Sequence, residues 1–365
     1  MKKSLRKRRL ARSQPLAAVP RYARAHESSF LEVVEMIEAA RARACRAVNS
    51  ELIDLYWRIG EVITERIASD GWGKATIISL AAYIRRHSPN VRGFSSQNLW
   101  RMRQFYETWR GKKKLSALLR ELSWTNNLFV MGKCKRPEER EFYLQLVARE
   151  KWPSRQLERQ IDSGLFERVV LSPAKLSAAL RELHPEAADA FKDSYLVEFL
   201  QLSPDHSEAD LHRGLLAKLR DFLIELGRDF CFIGSEYAIQ VGGQDFSLDL
   251  LFYHRALQCL VAFDLKIKRF EPEHLGKMEF YLEALDRDAR KAHERPSIGV
   301  LLCATKDNEV VEYALARTVS PALIAEYQTV LPDKKVLQRK LHEFYQLALP
   351  HAAPTPRKDR KRFKP

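Results

Sequence analysis

Asp249, Asp264 and Lys266 lie in two short apolar runs of this 365-residue chain, Phe246-Ser247-Leu248-Asp249-Leu250-Leu251-Phe252-Tyr253 and Cys259-Leu260-Val261-Ala262-Phe263-Asp264-Leu265-Lys266. Both runs are rich in aliphatic and aromatic residues and read as strands, joined by a turn around His254-Arg255-Ala256. A carboxylate inside a buried strand is costly unless something pairs with it. Asp264 and Lys266 are two apart, so on a strand they share a face while Leu265 points the other way. Two carboxylates and a lysine on adjacent strands suit a hard divalent ion, because Mg²⁺ takes carboxylate oxygens and keeps several waters. An ion held by Asp249 and Asp264 would activate a water and stabilise the charge that builds up on a phosphodiester. Lys266 would orient that water or neutralise a phosphate oxygen. The spacing gives equal weight to a plainer reading, a structural salt bridge of Lys266 with Asp264 or Asp249 on an edge strand.

The elements that must position these residues run helix, three strands, helix, strand, helix, strand. Residues 208–226 read as one amphipathic helix with Leu211, Leu215, Leu219, Phe222 and Leu226 on its buried side. Residues 230–241 form the first strand, ahead of the two that carry the aspartates. A helix over 274–285 and strands over 298–304 and 323–329 complete the pattern. Gly242-Gly243 falls between two strands, as a hairpin turn and not the strand-to-helix loop of a dinucleotide site. The chain has no Gly-x-x-x-x-Gly-Lys-Ser/Thr loop, which argues against intrinsic ATP hydrolysis. His254 and His274 accompany no serine or cysteine nucleophile pattern, and each reads as a surface histidine.

The N-terminal half is helical in pattern and holds all six tryptophans. Residues 30–67 read as one or two long helices, with Leu52, Leu55, Tyr56, Ile59 and Ile63 at helical spacing. Residues 76–87 and 95–109 are two further helices about a turn at 88–94, with Ser95 or Ser96 as the N-cap of the second. This pair resembles a helix-turn-helix or winged-helix arrangement, and Gln97, Asn98, Arg101 and Arg103 are of types that read base edges or hold phosphates. An ordinary helical hairpin with solvated charges fits the same residues. The net charge of +15 is concentrated at the ends: residues 1–25 carry nine Lys/Arg and no acid, and 351–365 carry six with Asp359 alone against them. Both tails are expected to be disordered and to bind phosphate backbones in a salt-dependent way, or else simply to aid solubility. The expected domains are a basic tail over 1–27, a helical domain over 28–170, a connector over 171–195, an α/β domain over 196–348 and a second basic tail over 349–365. Five scattered cysteines show neither zinc spacing nor a disulfide framework, and no apolar run is long enough to span a membrane. The basic start lacks the apolar segment of a secretory signal, so a cytoplasmic location is expected.

The two strand runs resemble the core of the PD-(D/E)xK nuclease superfamily, an aspartate on one strand and (D/E)-x-K on the next. Leu248-Asp249 stands where Pro-Asp is usual, and Asp264-Leu265-Lys266 is the second half. The flanks 241–246, 276–282, 297–303 and 311–315 extend the likeness to the bacterial DUF1016 family of YhcG-type nuclease proteins, as do Leu55-Tyr56-Trp57-Arg58-Ile59-Gly60, Gly71-Trp72-Gly73 and Leu122-Ser123-Trp124-Thr125-Asn126-Asn127. The resemblance implies a restriction-endonuclease-like α/β core behind an all-α N-terminal domain, and Mg²⁺- or Mn²⁺-dependent cleavage of DNA. It also implies a further acid from the first helix, with Glu208 the candidate, Asp210 the second choice, and His212 standing where relatives are expected to carry a glutamate. A glutamine often follows on the next helix; Lys277 holds its place here, with Tyr281 one turn on, and Lys277 could contact a phosphate instead. Lys268 and Arg269 would grip the DNA backbone or form a solvated pair. A homodimer, partner subunits of a restriction or defence system, and a role against foreign DNA are further implications. The rival is a DNA-binding or assembly subunit that keeps the nuclease fold but is inactive without partners.

Overall fold

The computed structural model describes residues 27–348, so both basic tails lie outside the described residues. The chain forms two compact units, Met1–Trp124 and Thr125–Pro365.

In the first unit a single helix, Glu27–Asp70, packs against the helices Lys74–His87 and Ser96–Trp109. The residues read at helical spacing do this: Tyr56 and Ile63 are buried with Ile77, Ala81, Leu99 and Met102. Gly60 permits the closest approach, since a Cβ there would collide with the Met102 carbonyl oxygen. Ser95 is the N-cap of Ser96–Trp109, its hydroxyl accepting from the Asn98 N–H.

The second unit is built on a six-stranded sheet: β1 (Ser194–Leu196), β2 (Phe230–Val241), β3 (Gln244–His254), β4 (Cys259–Arg269), β5 (Ile298–Thr305) and β6 (Ala322–Gln328). Their order is β1-β6-β5-β4-β3-β2. The β2–β3–β4 meander is antiparallel, its first turn made by Gly242 and Gly243 at φ +59° and +77°. The remaining pairs are parallel, and helical crossovers, Glu273–Ala284 and Asn308–Arg317, join β4 to β5 and β5 to β6. Alternation along β4 splits its side chains cleanly. Val261, Phe263 and Leu265 join the core that contains Leu211, Leu215 and Phe222, while Leu260 and Ala262 join the core with Leu275 and Met278.

Three features differ from the sequence reading. Residues 208–226 are two helices, Glu208–Ala217 and Leu219–Leu226, because Lys218 leaves helical geometry at φ −116°, ψ 31°. The break still lets Leu211, Leu215, Phe222 and Leu226 reach one core. β1 is a three-residue strand across the end of the expected connector, too short to carry a periodic signal. His254 is buried rather than at the surface: its Nδ1 accepts from the Leu257 N–H at 3.1 Å, and its ring meets Phe230 edge-on. Helices Pro137–Glu150, Ser154–Asp162 and Leu165–Leu171 belong to the same compact unit as the sheet. Arg159 ties them in, reaching Glu198 at 2.8 Å and Glu225 at 3.0 Å.

Candidate metal and catalytic site

Asp249 sits where β3 is released from both its neighbours. The β2–β3 register passes from Ser235–Leu250 to Tyr237–Leu248 and skips it, across Glu236 in a left-handed conformation (φ 48°). The β3–β4 register stops at Leu250–Phe263, one residue short of setting Asp249 against Asp264. The in/out alternation of β3 changes phase at the same point: Leu248 packs on the side of Met278, as does Leu251, while Leu250 and Phe252 pack on the other. A slip of this kind frees backbone groups, and two of them have side-chain partners. The Leu265 N–H donates to Asp249 Oδ2 at 2.6 Å. The Asp249 carbonyl is met at 3.2 Å by Nε2 of His212, which must carry the proton because a carbonyl only accepts.

Asp264, 1% exposed, lies on the next strand with Lys266 on the same face. Lys266 Nζ is 2.5 Å from Asp264 Oδ2, donates to the Leu265 carbonyl at 2.9 Å, and stands 3.9 Å from Glu208 Oε1. Lys277, from the crossover helix, donates to Asp264 Oδ1 at 3.1 Å. Burial, opposed by the Leu265 N–H and reinforced by Asp264, holds the Asp249 carboxyl above the ordinary range. Burial also raises Glu208, with Lys266 pulling it down and the two aspartates pushing it up. For Lys277 burial works downward, and the Asp264 carboxylate outweighs it and raises the ammonium's pKa. Cys303 lies in register with Lys266, and burial lifts its thiol to about 12, which excludes a thiolate nucleophile there.

The donor set fits a hard divalent ion. Asp264 Oδ2 is buried without a hydrogen bond, since its approach to Lys266 is an ion pair outside hydrogen-bonding geometry. The oxygens of Asp249 and the Leu265 carbonyl are its neighbours in the fold, and all are ligands of the type Mg²⁺ prefers. Among the described residues no three His, Cys, Asp or Glu side chains are gathered closely enough to hold an ion by themselves. The fold brings together two aspartates, with Glu208 linked to them through Lys266. Asp210 is committed elsewhere, closing a capping box with Ser207 and pairing with Arg213 at 2.6 Å.

The residues expected to touch DNA divide into free and committed groups. Gln97, Arg101 and Lys268 are exposed. Asn98 is not free: its Nδ2 donates to the Gly93 carbonyl and its Oδ1 accepts from Trp124 Nε1 at 3.0 Å, so it braces the hairpin. Arg103 pairs with Glu107 at 2.8 Å. Arg269 pairs with Asp307 at 2.8 Å. His212, read from sequence only as a missing acid, holds the Asp249 carbonyl. No local signal marks its role, since Leu250, Leu251 and Phe252 are simply buried in turn on the two faces of the sheet. Its removal is expected to lower nuclease activity by about 10- to 100-fold, the range for groups that hold metal ligands. His212→Leu and His212→Gln, compared in single-turnover assays, should separate: the glutamine amide can still donate to the Asp249 carbonyl, and equal losses would reject the positioning role.

A pocket of about 640 Å³ lies at the opposite end of β2 and β3, lined by Phe142, Trp152, Phe191, Phe230 and His254 among others. Asp249 is five residues along β3 from His254, about 16 Å for a strand. Size alone therefore does not mark the chemistry.

Residues 188–342 match the family described as the YhcG PDDEXK nuclease domain, and residues 32–168 match the DUF1016 N-terminal domain. The chain is similar to YhcG of Escherichia coli (strain K12), with 33% identity over 348 residues, 85% of this chain and 92% of that protein. Among solved structures it is similar to a repair endonuclease from Pyrococcus abyssi, at 15% identity and a TM-score of 0.25. It is also similar to EndoMS in an EndoMS-dsDNA2 complex, at 16% identity and a TM-score of 0.24. The matches cover 36% of this chain in both cases and about half of those chains, 50% and 47%.

Proposed function

Because this chain belongs to the YhcG PDDEXK nuclease family, we propose that it hydrolyses DNA phosphodiester bonds, with Asp249 and Asp264 holding Mg²⁺ or Mn²⁺. The observation that carries this reading is Asp264 Oδ2, a buried carboxylate oxygen without a hydrogen bond, on the strand beside the one from which Asp249 is released. Bound there, the ion would supply positive charge to a phosphate oxygen and lower the pKa of a water. The chain's own groups do the rest. The Leu265 N–H fixes the Asp249 carboxylate, and His212 fixes its backbone. Lys266, anchored by Asp264 and the Leu265 carbonyl, presents its ammonium to the attacking water or to a phosphate oxygen. Glu208, half-exposed and linked through Lys266, is the nearest further acid. Lys268, and on the helical unit Gln97 and Arg101, are the exposed groups for DNA contact, with the basic tails adding salt-dependent backbone binding. Work against foreign DNA in the cytoplasm, as a homodimer or with partner subunits, is the setting that fits this activity.

Purified protein is to be incubated with supercoiled plasmid and with single-stranded DNA, in Mg²⁺, Mn²⁺ or EDTA, beside Asp264→Ala and Lys266→Ala. Cleavage is expected with metal only and is lost in both variants. A second reading draws on the ion pairs that already face both oxygens of Asp264: the nuclease fold serves as a DNA-binding or assembly subunit. Its signature is DNA shifted on a gel equally by wild type and variants and never cut.

A further inference from the structure

Both oxygens of the buried Asp264 carboxylate face an ammonium, Lys266 at Oδ2 (2.5 Å) and Lys277 at Oδ1 (3.1 Å). The two lysines are not held alike. The Lys266 side chain is 15% exposed and also bound to the Leu265 carbonyl, so it is part of the strand's own architecture. Lys277 is 48% exposed and comes from a separate helix. Besides Asp264 it meets Tyr281, through a side-chain hydrogen bond and with its ammonium 5.2 Å from the ring centre. That ring is itself pinned, its hydroxyl donating to the Ser247 carbonyl at 2.7 Å. A divalent ion drawing on Asp264 and Asp249 must work against the field of both ammoniums, and the exposed one is the one able to leave.

We propose that Lys277 is a built-in counter-ion that competes with the divalent metal for Asp264 in the DNA-free protein, so that metal affinity is set by this lysine. The inference rests on the metal-site reading above. It follows from charge: Asp249, Asp264 and Glu208 face two ammoniums, and a dication added to that set gains less than one added to the carboxylates and Lys266 alone. Lys277 swings out on its flexible stem when the ion enters, and its ammonium is then free for a phosphate of the bound strand.

The test is a titration of DNA-free protein with Mn²⁺, free ion being read by electron paramagnetic resonance at constant ionic strength. Wild type, Lys277→Met, Lys277→Gln and Asp264→Asn are compared, with circular dichroism as the check on folding. Lys277→Met is expected to bind Mn²⁺ about tenfold tighter than wild type. Lys277→Gln, which keeps a neutral donor, should shift the same way and stands in should the methionine variant misfold. Asp264→Asn should lose binding. Equal or weaker binding by both Lys277 variants overturns the competition and leaves the metal site standing. Absence of Mn²⁺ binding at millimolar concentration in every protein overturns the metal site and the competition with it.

Discussion

Asp249→Asn is expected to lower metal-dependent cleavage by about a thousandfold or more, about 4 kcal/mol of transition-state stabilisation, while the protein melts no lower than wild type. The activity loss follows from removing an anionic ligand and keeping its shape. The stability outcome follows from the direction of the pKa. Burial and the facing Asp264 hold the Asp249 carboxyl above its ordinary value, against the pull of the Leu265 N–H. A carboxyl with a raised folded pKa favours the native state while protonated, and that contribution is lost as pH rises through the folded value. At neutral pH its ionisation therefore counts against the fold, and the neutral amide removes that cost. The side-chain amide oxygen of the variant would still accept from the Leu265 N–H, so the released strand keeps its anchor. Single-turnover cleavage and a thermal melt at pH 7 check both halves. Near-wild-type cleavage would remove Asp249 from the chemistry, and a clear fall in Tm would show that it serves the fold instead.

The parts of this site that sequence made legible are those that depend on short spacing. Asp264 and Lys266 share a face because they are two apart on a strand, and β2, β3 and β4 announced themselves by runs of aliphatic and aromatic residues. Ser95 was readable as a cap because capping needs only the next few residues. What stayed hidden depends on partners far away in the chain. The job of His212 exists only because a phase slip in β3 frees a carbonyl 37 residues later. Lys277 was placed by resemblance at a position usually held by glutamine, but that its ammonium lies on Asp264 is a matter of how the crossover helix packs. Asn98 looked like a base reader by type, and its amide is consumed by Gly93 and Trp124. His254 looked like a surface residue, since nothing local shows that the turn N–H of Leu257 needs its ring nitrogen.

The largest structural effect is expected far from the aspartates, at Glu225. This carboxylate is fully buried on helix Leu219–Leu226 and joins the helices preceding the sheet to β1. Arg159 reaches it at 3.0 Å, Lys192 at 3.1 Å, Gln160 Nε2 at 2.9 Å and the Leu196 N–H at 3.2 Å. Arg168 is buried nearby, donating to the Ser194 carbonyl at 3.2 Å. Burial alone would raise the carboxyl, but Lys192, Arg159 and Arg168 outweigh it and hold it down at about 2. Glu225→Gln leaves those cations short of a counter-charge, and removing one partner of a buried pair costs about 3–5 kcal/mol. In a unit of this size that is a fall in Tm of about 10 °C. The acid dependence has a fixed sign: with the folded pKa depressed, the carboxylate's stabilisation is full above its unfolded value near 4.5 and is lost as pH falls toward 2. Urea melts of wild type and Glu225→Gln should differ most at pH 6, and the gap should narrow at pH 3. A gap that stays constant across that range would mean the loss comes from packing and hydrogen bonding alone, and that the ionised carboxylate is not what binds the helices to the sheet.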